Sequence, residues 1–278
     1  MDRGSRLPGP FVVINNSMSF VAFLSRTLLR LPPIRGVGIL IEGVARLTSG
    51  LDTEVESRFD GSRFVASPRT IWGRRQLFTA AYHDRLERRW VRCLLRPGDY
   101  AVDVGANVGV YTLLFARLVG PSGRVTAIEA DPANFAALSR NVILNGYDQV
   151  SLVAAGASDR RERLALHHHR DNLGMHSFVH DFGEGAAVVE CHPLVDLMGP
   201  APVRIMKLDI EGFEYRVLNG FFHSGGSLPE YLLIEEWKDA QKSELLNLCI
   251  RAGYVVYKHT TPNYLLKQGM LTHFPPSA

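Results

Sequence analysis

The sequence predicts an α/β fold, in which helices cover both faces of a mostly parallel β-sheet, and three observations predict it. From residue 100 onward, short apolar runs typical of strands alternate with stretches of helical spacing. The first of these runs leads through a glycine-rich turn, "VDVGANVGVY" at residues 102–111, into a helix. The chain has 278 residues, of which 46% are hydrophobic, and this is enough to bury a large core.

The first part of the chain has a different pattern. It begins with two predicted helical pieces separated by Pro32-Pro33. Residues 54–66 then alternate in polarity around Asp60-Gly61, a dipeptide that favours a tight hairpin turn. We therefore predict an N-terminal extension of residues 1–75, made of helices and a β-hairpin, before a main domain of residues 76–278.

The main domain opens with helical spacing over residues 76–95 and continues as repeated β-α-β units. In one of its helices, Asp131 and Pro132 predict the start and Asn145-Gly146 the end. The predicted elements are, in order, a strand at "YAVDV", a helix near 108–119, a strand at "RVTAIEA", a helix near 132–144, a strand at "VSLVAAGASD", a polar histidine-rich stretch compatible with extra strands, a strand at "VRIMKLDI", a short helix ending near Asn219-Gly220, a strand at "YLLIEEW", a helix near 240–251, and the strands "GYVVYKH" and "NYLLKQ", which suit an antiparallel pair at one edge.

Composition and charge limit the partners and the cellular location that the sequence favours. The net charge is only +3, although residues 1–100 hold 16 Arg and no Lys against 9 Asp and Glu, so nucleic acid is not the expected partner. The three cysteines form no Cys-x-x-Cys pair, which favours a reducing, cytoplasmic location. Polar residues interrupt the uncharged stretch 7–25, so we predict no transmembrane segment. Weak membrane association through residues 11–47 stays open, as does a homo-oligomer.

The glycine turn indicates the kind of cofactor. Asn107 stands where the dinucleotide pattern Gly-x-Gly-x-x-Gly has its second glycine, after Gly105 and before Gly109. Asp103, at the end of the strand, would repel a pyrophosphate but would suit a ligand with an ammonium group and a sulfonium. S-adenosylmethionine is such a ligand. We therefore predict that the turn holds S-adenosylmethionine.

A second acidic residue supports this cofactor. Glu129 follows the next strand, 20 residues after Gly109, and a carboxylate there can accept hydrogen bonds from both ribose hydroxyls. The third strand ends in "AAGASD", where the adenine should lie. The predicted cofactor-binding residues are Asp103, Gly105, Ala106, Asn107, Gly109, Glu129, Ala130, Asn134, Ala157, Ser158, Asp159 and Asp209.

With these segments in place, the sequence resembles the FkbM family of class I methyltransferases. The resemblance rests on "RPGDYAVDVGANVGVYTLLFAR", "AIEADPANFAALSRNVILNG", "AAGASD" and "IMKLDIEGFEYRVLNG", and it covers roughly residues 75–240. It implies a Rossmann-like fold with a seven-stranded sheet, S-adenosylmethionine as methyl donor, and methylation of a hydroxyl on a sugar or natural-product scaffold. In the family's Asn-x-Gly segment, here Asn172-Leu-Gly174, the following turn carries His176 in place of a smaller residue, which makes His176 a candidate for contact with the acceptor.

The candidate catalytic residues follow the fourth main strand. Carboxyl ends of parallel strands meet at one edge of a sheet, so Asp209 should face the transferred methyl and act on the acceptor hydroxyl as orienting group or general base. Lys207, two residues earlier, faces the same side and either tunes Asp209 or makes a structural ion pair. Glu211 either shapes the following turn or acts directly. The next strand ends in two adjacent acids that point to opposite faces, and we expect Glu235, rather than Glu236, to face the cleft.

The sequence leaves one possible metal role and two alternative functions open. Adjacent residues of a strand point to opposite faces, so His167, His168 and His169 should not converge on a metal, and no metal ligands are predicted. A divalent ion held by Asp209 and another carboxylate is compatible with the sequence but not required by it. An RNA methyltransferase, or a non-catalytic protein that binds S-adenosylmethionine, are the alternative functions.

Overall fold

The computed structural model describes residues 54–69, 71–79, 83–169, 176–236 and 243–269, together with the single residues 43 and 47. The helical pieces predicted around Pro32-Pro33 lie outside the described residues, and so does the Asn172-Leu-Gly174 segment. Within the described ranges, no helix combines the length and the apolar character needed to cross a membrane.

The predicted hairpin is confirmed and packs on the main core. Strands β1 (Val55–Phe59) and β2 (Ser62–Ala66) pair antiparallel around Asp60 and Gly61, both of which have positive φ angles. Phe64 is buried in a cluster that also includes Val108, from the glycine turn, and Leu138. The hairpin therefore packs against the glycine turn through this buried cluster.

In the described residues, ten further strands, seven α-helices and one π-helical turn follow the hairpin. Their bounds are α1 (Ile71–Arg74), a π-helical turn (Arg75–Thr79), α2 (Arg85–Leu94), β3 (Tyr100–Val104), α3 (Val110–Val119), β4 (Arg124–Glu129), α4 (Pro132–Asn145), β5 (Val150–Ala154), β6 (Gly156–Ser158), β7 (Glu162–His167) and β8 (Ala186–Pro193). The remaining elements are α5 (Leu194–Leu197), β9 (Ile205–Leu208), α6 (Glu214–His223), β10 (Tyr231–Glu235), α7 (Glu244–Arg251), β11 (Tyr254–His259) and β12 (Asn263–Gln268).

The central sheet has seven strands in the order β11-β12-β10-β9-β3-β4-β5. Strand β12 runs antiparallel to both of its neighbours, and the other pairs are parallel. Successive residues of β3 face opposite sides: Ala101 packs with Phe115 of α3, and Val102 packs with Leu218 of α6. The predicted Rossmann-like fold, with helices on both faces and an antiparallel pair at one edge, is confirmed.

The polar histidine-rich stretch adds a second, three-stranded sheet in the order β6-β8-β7. The predicted single strand "VSLVAAGASD" breaks at Ala155, because β5 ends in the central sheet and β6 pairs with β8. A bridge between His167 and Ser177 extends this layer. It brings the segment after the Asn-x-Gly position back toward the central sheet.

Two sequence predictions of helices were wrong in their bounds. Residues 76–95 are not one helix: the π-helical turn precedes α2, and Asp84 between them has a left-handed backbone with φ of 48°. Helix α6 does not end near Asn219-Gly220 but continues to His223. Gly220 serves close packing instead, since a Cβ there would lie 2.6 Å from the Cβ of Asp159.

Candidate functional site

The glycine turn after β3 lies at the carboxyl edge of the sheet and is fixed by its backbone. The N–H groups of Gly105 and Ala106 both donate to the carbonyl oxygen of Ile128 on β4, each at 3.0 Å. Gly105 has φ of 75°, and a Cβ on it would lie 1.9 Å from the carbonyl oxygen of Asp209. The turns after β3 and β9 therefore touch through backbone atoms, and a side chain at residue 105 would separate them.

Glu129 is held at the end of β4 by two backbone donors. Its Oε2 accepts from the N–H of Asn107 at 2.7 Å, and its Oε1 accepts from the N–H of Asp131 at 2.8 Å. Burial raises the pKa of Glu129 to about 7, although the two N–H groups oppose the shift. Each oxygen keeps a second lone pair for a further donor.

A cavity of about 500 Å³, open to solvent, lies over these turns. It brings together nine of the residues predicted for cofactor binding or catalysis, namely Gly105, Asn107, Glu129, Ala130, Asn134, Ala157, His176, Asp209 and Glu211. Its wall also includes Leu166 and Phe178, which sequence reasoning missed, because they come from the second sheet and the segment beyond it.

Three residues predicted for cofactor binding, Asp103, Ala106 and Gly109, do not line this cavity. Asp103 is buried, its Oδ2 accepts from the hydroxyl of Thr112 at 2.6 Å, and burial raises its pKa against the attraction of Lys207. Ala106 is buried in the turn. Gly109 precedes α3 with φ of 100°, where a Cβ would lie 2.8 Å from a methyl carbon of Leu138.

The structure places Ser158 and Asp159 away from the cavity. Asp159 pairs with Arg216 of α6, at 2.7 Å between Oδ1 and the guanidinium. The hydroxyl of Ser158 donates to Glu162 at 2.6 Å. Despite some burial, which acts in the opposite direction, the hydrogen bond from Arg216 lowers the pKa of Asp159. Both side chains therefore take part in the contact between the second sheet and α6.

A second cavity of about 680 Å³, also open to solvent, lies beyond the strand ends of β9 and β10. Its polar lining consists of His83, Asp84, Tyr111, Lys207, Asp209, Glu235 and Asn263. Of these, His83, Asp84, Tyr111 and Asn263 were missed: His83 and Asp84 lie in the turn before α2, Tyr111 lies in α3, and Asn263 begins β12, so no single sequence pattern groups them. Glu235 lines the cavity, whereas the next residue, Glu236, accepts a hydrogen bond from Ser243.

Asp209 lines both cavities and forms an ion pair with Lys207. The ammonium lies 2.9 Å from Oδ2 of Asp209 and 5.0 Å from the ring centroid of Tyr111. Burial opposes the charge of Lys207, but the neighbouring carboxylates, Asp209 first, outweigh it and raise its pKa. Lys207 is therefore a permanent cation beside Asp209.

Glu211 follows Asp209 in a strained turn. It has φ of 51°, and its carbonyl oxygen accepts from the hydroxyl of Ser177 at 2.8 Å. Burial, reinforced by Asp209 and Glu235, raises its pKa to about 8. The side chain, at the wall of the first cavity, therefore keeps its proton to higher pH than an exposed glutamate does.

The three consecutive histidines diverge, as the strand alternation predicts. His167 lies 3.3 Å from the carboxylate of Asp181, and His169 packs edge-on against Phe182. His168 points toward Asp131, on the side of the first cavity. In the described part of the chain, Asp209 belongs to no group of three side chains with metal-ligand spacing.

Comparison with known proteins gives a consistent set of relatives. A family model described as the methyltransferase FkbM domain matches residues 103–248. The 31-O-demethyl-FK506 methyltransferase FkbM of Streptomyces tacrolimicus is 30% identical over 158 residues, which are 45% of this chain and 60% of that protein. The methyltransferase sdnD of Sordaria araneosa is 25% identical over 178 residues, which are 52% of this chain and 68% of that protein.

Solved structures also resemble this chain. The methyltransferase FkbM from Methylobacillus flagellatus is 17% identical, with a TM-score of 0.42, over 83% of this chain and 58% of that one. This chain thus spans about three fifths of the length of the Streptomyces relative and of this solved structure.

Proposed function

This chain belongs to the FkbM family of methyltransferases, and we propose that it transfers the methyl group of S-adenosylmethionine to a hydroxyl oxygen of a small molecule. The observation that carries the proposal is the position of Asp209, which lines both the cavity over the glycine turn and the cavity beyond it. A carboxylate at that junction can reach an acceptor placed against a donor.

The first cavity suits the cofactor. The glycine turn forms one side of it, and the buried carboxylate of Glu129, held by two backbone N–H groups, can accept hydrogen bonds from the ribose hydroxyls. Asn134 and Ala157 line the same cavity and would lie against the adenosine. Bound S-adenosylmethionine supplies an already activated methyl group, so the protein's task is to position the acceptor and receive its proton.

The second cavity suits a polyhydroxylated acceptor. Three carboxylates line it, Asp84, Asp209 and Glu235, and each can accept a hydrogen bond from a hydroxyl. Lys207 and Asn263 offer donors. The same carboxylates would repel a phosphate backbone, which argues against RNA as the substrate. The name of the Streptomyces relative also describes O-methylation.

In the proposed reaction, the new oxygen–methyl bond forms as the sulfur–methyl bond breaks, and the hydroxyl proton leaves for a carboxylate. Asp209 accepts a hydrogen bond from the hydroxyl and orients its oxygen toward the methyl. Lys207 fixes the carboxylate of Asp209 through their contact at 2.9 Å. Glu211 and His176 line the donor side, where Glu211 is the second candidate to take up the proton.

The test uses S-adenosylmethionine with an isotope-labelled methyl group and a panel of sugars and polyketide lactones that carry free hydroxyls. We expect label in a product whose methyl carbon has the NMR chemical shift of a methoxy group. Label on nitrogen or carbon, or in RNA offered in parallel, would contradict the proposal. Tight cofactor binding with no transfer to any acceptor would favour the non-catalytic alternative.

Asp209→Asn tests the residue that carries the proposal. We expect turnover to fall by about 10²-fold or more, with the affinity for S-adenosylhomocysteine within about twofold of wild type, because only acceptor chemistry loses its carboxylate. Glu235→Gln removes a carboxylate that lines the second cavity only, so it should change the KM for the acceptor more than kcat. Equal loss of kcat in the two variants would argue against a special role for Asp209.

The proposal includes a cytoplasmic location. All three cysteines are free, and two of them, Cys191 and Cys249, are buried. Burial raises the pKa of Cys191 to about 11, so its thiol stays protonated at neutral pH. Free thiols of this kind suit a reducing compartment.

A further inference from the structure

A cluster of two histidines and one aspartate lies beside the cofactor cavity. Asp131, His168 and His176 place one ligand atom each within 4.8 Å of one another. Nε2 of His168 lies 3.2 Å from Oδ2 of Asp131, and Nδ1 of His176 lies 3.4 Å from the same oxygen. A tetrahedral zinc ion with bonds of about 2.0–2.2 Å separates its ligands by roughly 3.3–3.6 Å. The two nitrogen–oxygen distances are close to this spacing, and the two histidine ligand atoms lie within 4.8 Å of each other.

Contact with Asp131 satisfies only part of the cluster, because Nε2 of His168 and Nδ1 of His176 both approach the same carboxylate oxygen. Within the described residues, Nε2 of His176 is buried with no hydrogen-bond partner, and the other two nitrogens have only these ion-pair contacts. The side chain of His176 is only 9% exposed. Buried polar atoms without partners are costly, and two imidazole nitrogens against one carboxylate oxygen, with a third nitrogen unpaired, point to a ligand that binds nitrogen and oxygen together.

The backbone fixes the three side chains before any ligand arrives. The bridge between His167 and Ser177, whose N–H groups donate to each other's carbonyl oxygens at 2.9 and 3.1 Å, sets an antiparallel register in which His168 lies opposite His176. Oδ1 of Asp131 accepts from the N–H groups of Ala133 and Asn134 at the start of α4. This bond leaves Oδ2 facing the two rings, as outer-shell contacts do around metal ligands.

We propose that Asp131, His168 and His176 bind a divalent transition-metal ion of the zinc type beside the cofactor cavity. Two imidazole nitrogens and one carboxylate oxygen are a donor set for Zn²⁺ or Fe²⁺, whereas Mg²⁺ prefers oxygen ligands. The ion would link the segment of His176 and Phe178, which forms one wall of that cavity, to Asp131 at the start of α4. Metal binding would then stabilise this wall of the cavity.

The experiment measures metal directly and needs no knowledge of the acceptor. Protein purified without a polyhistidine tag is dialysed against Zn²⁺, then against metal-free buffer, and analysed by elemental mass spectrometry. We expect about one zinc ion per chain, and visible absorption typical of a tetrahedral site when Co²⁺ replaces Zn²⁺. The double variant His168→Gln/His176→Gln should hold at least about tenfold less.

His169→Gln is the matched control, because its ring lies next along the chain but contacts Phe182 instead of Asp131. It should bind zinc like wild type. If the double variant does not fold, Asp131→Asn keeps an acceptor oxygen for the helix start and replaces the ligand oxygen, so it should still lose zinc. Wild type without retained zinc, or a folded double variant or Asp131→Asn with as much zinc as wild type, would overturn the proposal.

Discussion

At the scale of single residues, Gly105 is under the strictest constraint. Its positive φ of 75° suits glycine, and the carbonyl oxygen of Asp209 occupies the place that a Cβ would take. Few positions combine both restrictions. The contact joins the turn that would carry the methyl donor to the turn that would carry the acceptor.

Gly105→Ala is therefore expected to cost more than backbone strain alone. Gly146 is the matched control, because it also has a positive φ, 63°, but a Cβ there meets nothing within 4 Å. We expect Gly146→Ala to lower the free energy of unfolding by about 1 kcal/mol, as strain in the left-handed region does. Gly105→Ala should lower it by about 2 kcal/mol or more and abolish binding of S-adenosylhomocysteine, as measured by denaturant unfolding and calorimetry. Equal losses in both variants would contradict the steric argument.

Part of the candidate site could be predicted from single residues. Glu129 and Asp209 end strands of a parallel sheet, and strand ends share one edge, so their place in one cavity follows from order along the chain. Asp159 also follows a strand, but Arg216 draws it to α6. That ion pair joins residues 57 positions apart in sequence, and no local pattern indicates it.

At the scale of elements, Asn141 connects the N-terminal hairpin to the glycine turn. Its amide oxygen accepts from the N–H of Val65 on β2, and its amide nitrogen donates to the carbonyl oxygen of Val108, both at 2.9 Å. Asn145, one helical turn later, bonds to both backbone groups of Arg63 on the hairpin and to the carbonyl oxygen of Asn141 within α4. Asn141 therefore links the hairpin to the glycine turn, whereas the bonds of Asn145 link the hairpin to α4.

The pair allows a matched test of whether the hairpin supports the site. Asn141→Ala removes the partners of one part-buried N–H and one buried carbonyl and should lower the free energy of unfolding by about 2 kcal/mol. It should also weaken S-adenosylhomocysteine binding, because Val108 loses its anchor. Asn145→Ala should cost about 1 kcal/mol and leave that affinity unchanged. Affinity that falls equally in both, or in neither, would argue against the link through Val108.

The elements themselves divide into those with local signals and those set by tertiary contact. Helix α4 begins and ends where its capping residues predict, since Asp131 accepts from the first N–H groups and Gly146 has the left-handed conformation. The end of α6 was predicted wrongly from Gly220, because glycine is favoured both where a helix stops and where another chain segment, here Asp159, packs closely. His168 and His176 face each other because of the register between two segments that are separated in sequence. Side-chain alternation within one strand does not specify that register.

At the scale of the whole molecule, the described protein buries several carboxyl groups at one edge of the sheet. Burial is the main cause that raises the pKa of Glu129 to about 7 and that of Glu211 to about 8, and it also raises the pKa values of Asp84, Asp103 and Glu214. The unfolded chain loses these protons at lower pH than the folded protein does. Stability from these groups is therefore complete at acidic pH and is lost as pH rises through the raised values.

We expect the melting temperature of the ligand-free protein to fall between about pH 5 and pH 8, because the folded state holds more protons than the unfolded state over that range. Differential scanning calorimetry in matched buffers measures the slope. Glu211→Gln removes one of the raised groups and should make the slope shallower, with Asp196→Asn, an exposed carboxylate of α5, as control. A melting temperature that rises with pH over this range would contradict the assignment of buried, protonated carboxyls.

The backbone contact between Gly105 and Asp209 also has a consequence for changing substrate range by directed evolution. Substitutions at the centre of the site would disturb donor and acceptor together, because the two turns are in close backbone contact there. His83, Asp84 and Asn263 line the outer wall of the second cavity and take no part in lining the first. A mutant library confined to these three positions can therefore explore new acceptors while the residues that line the methyl-donor cavity stay unchanged.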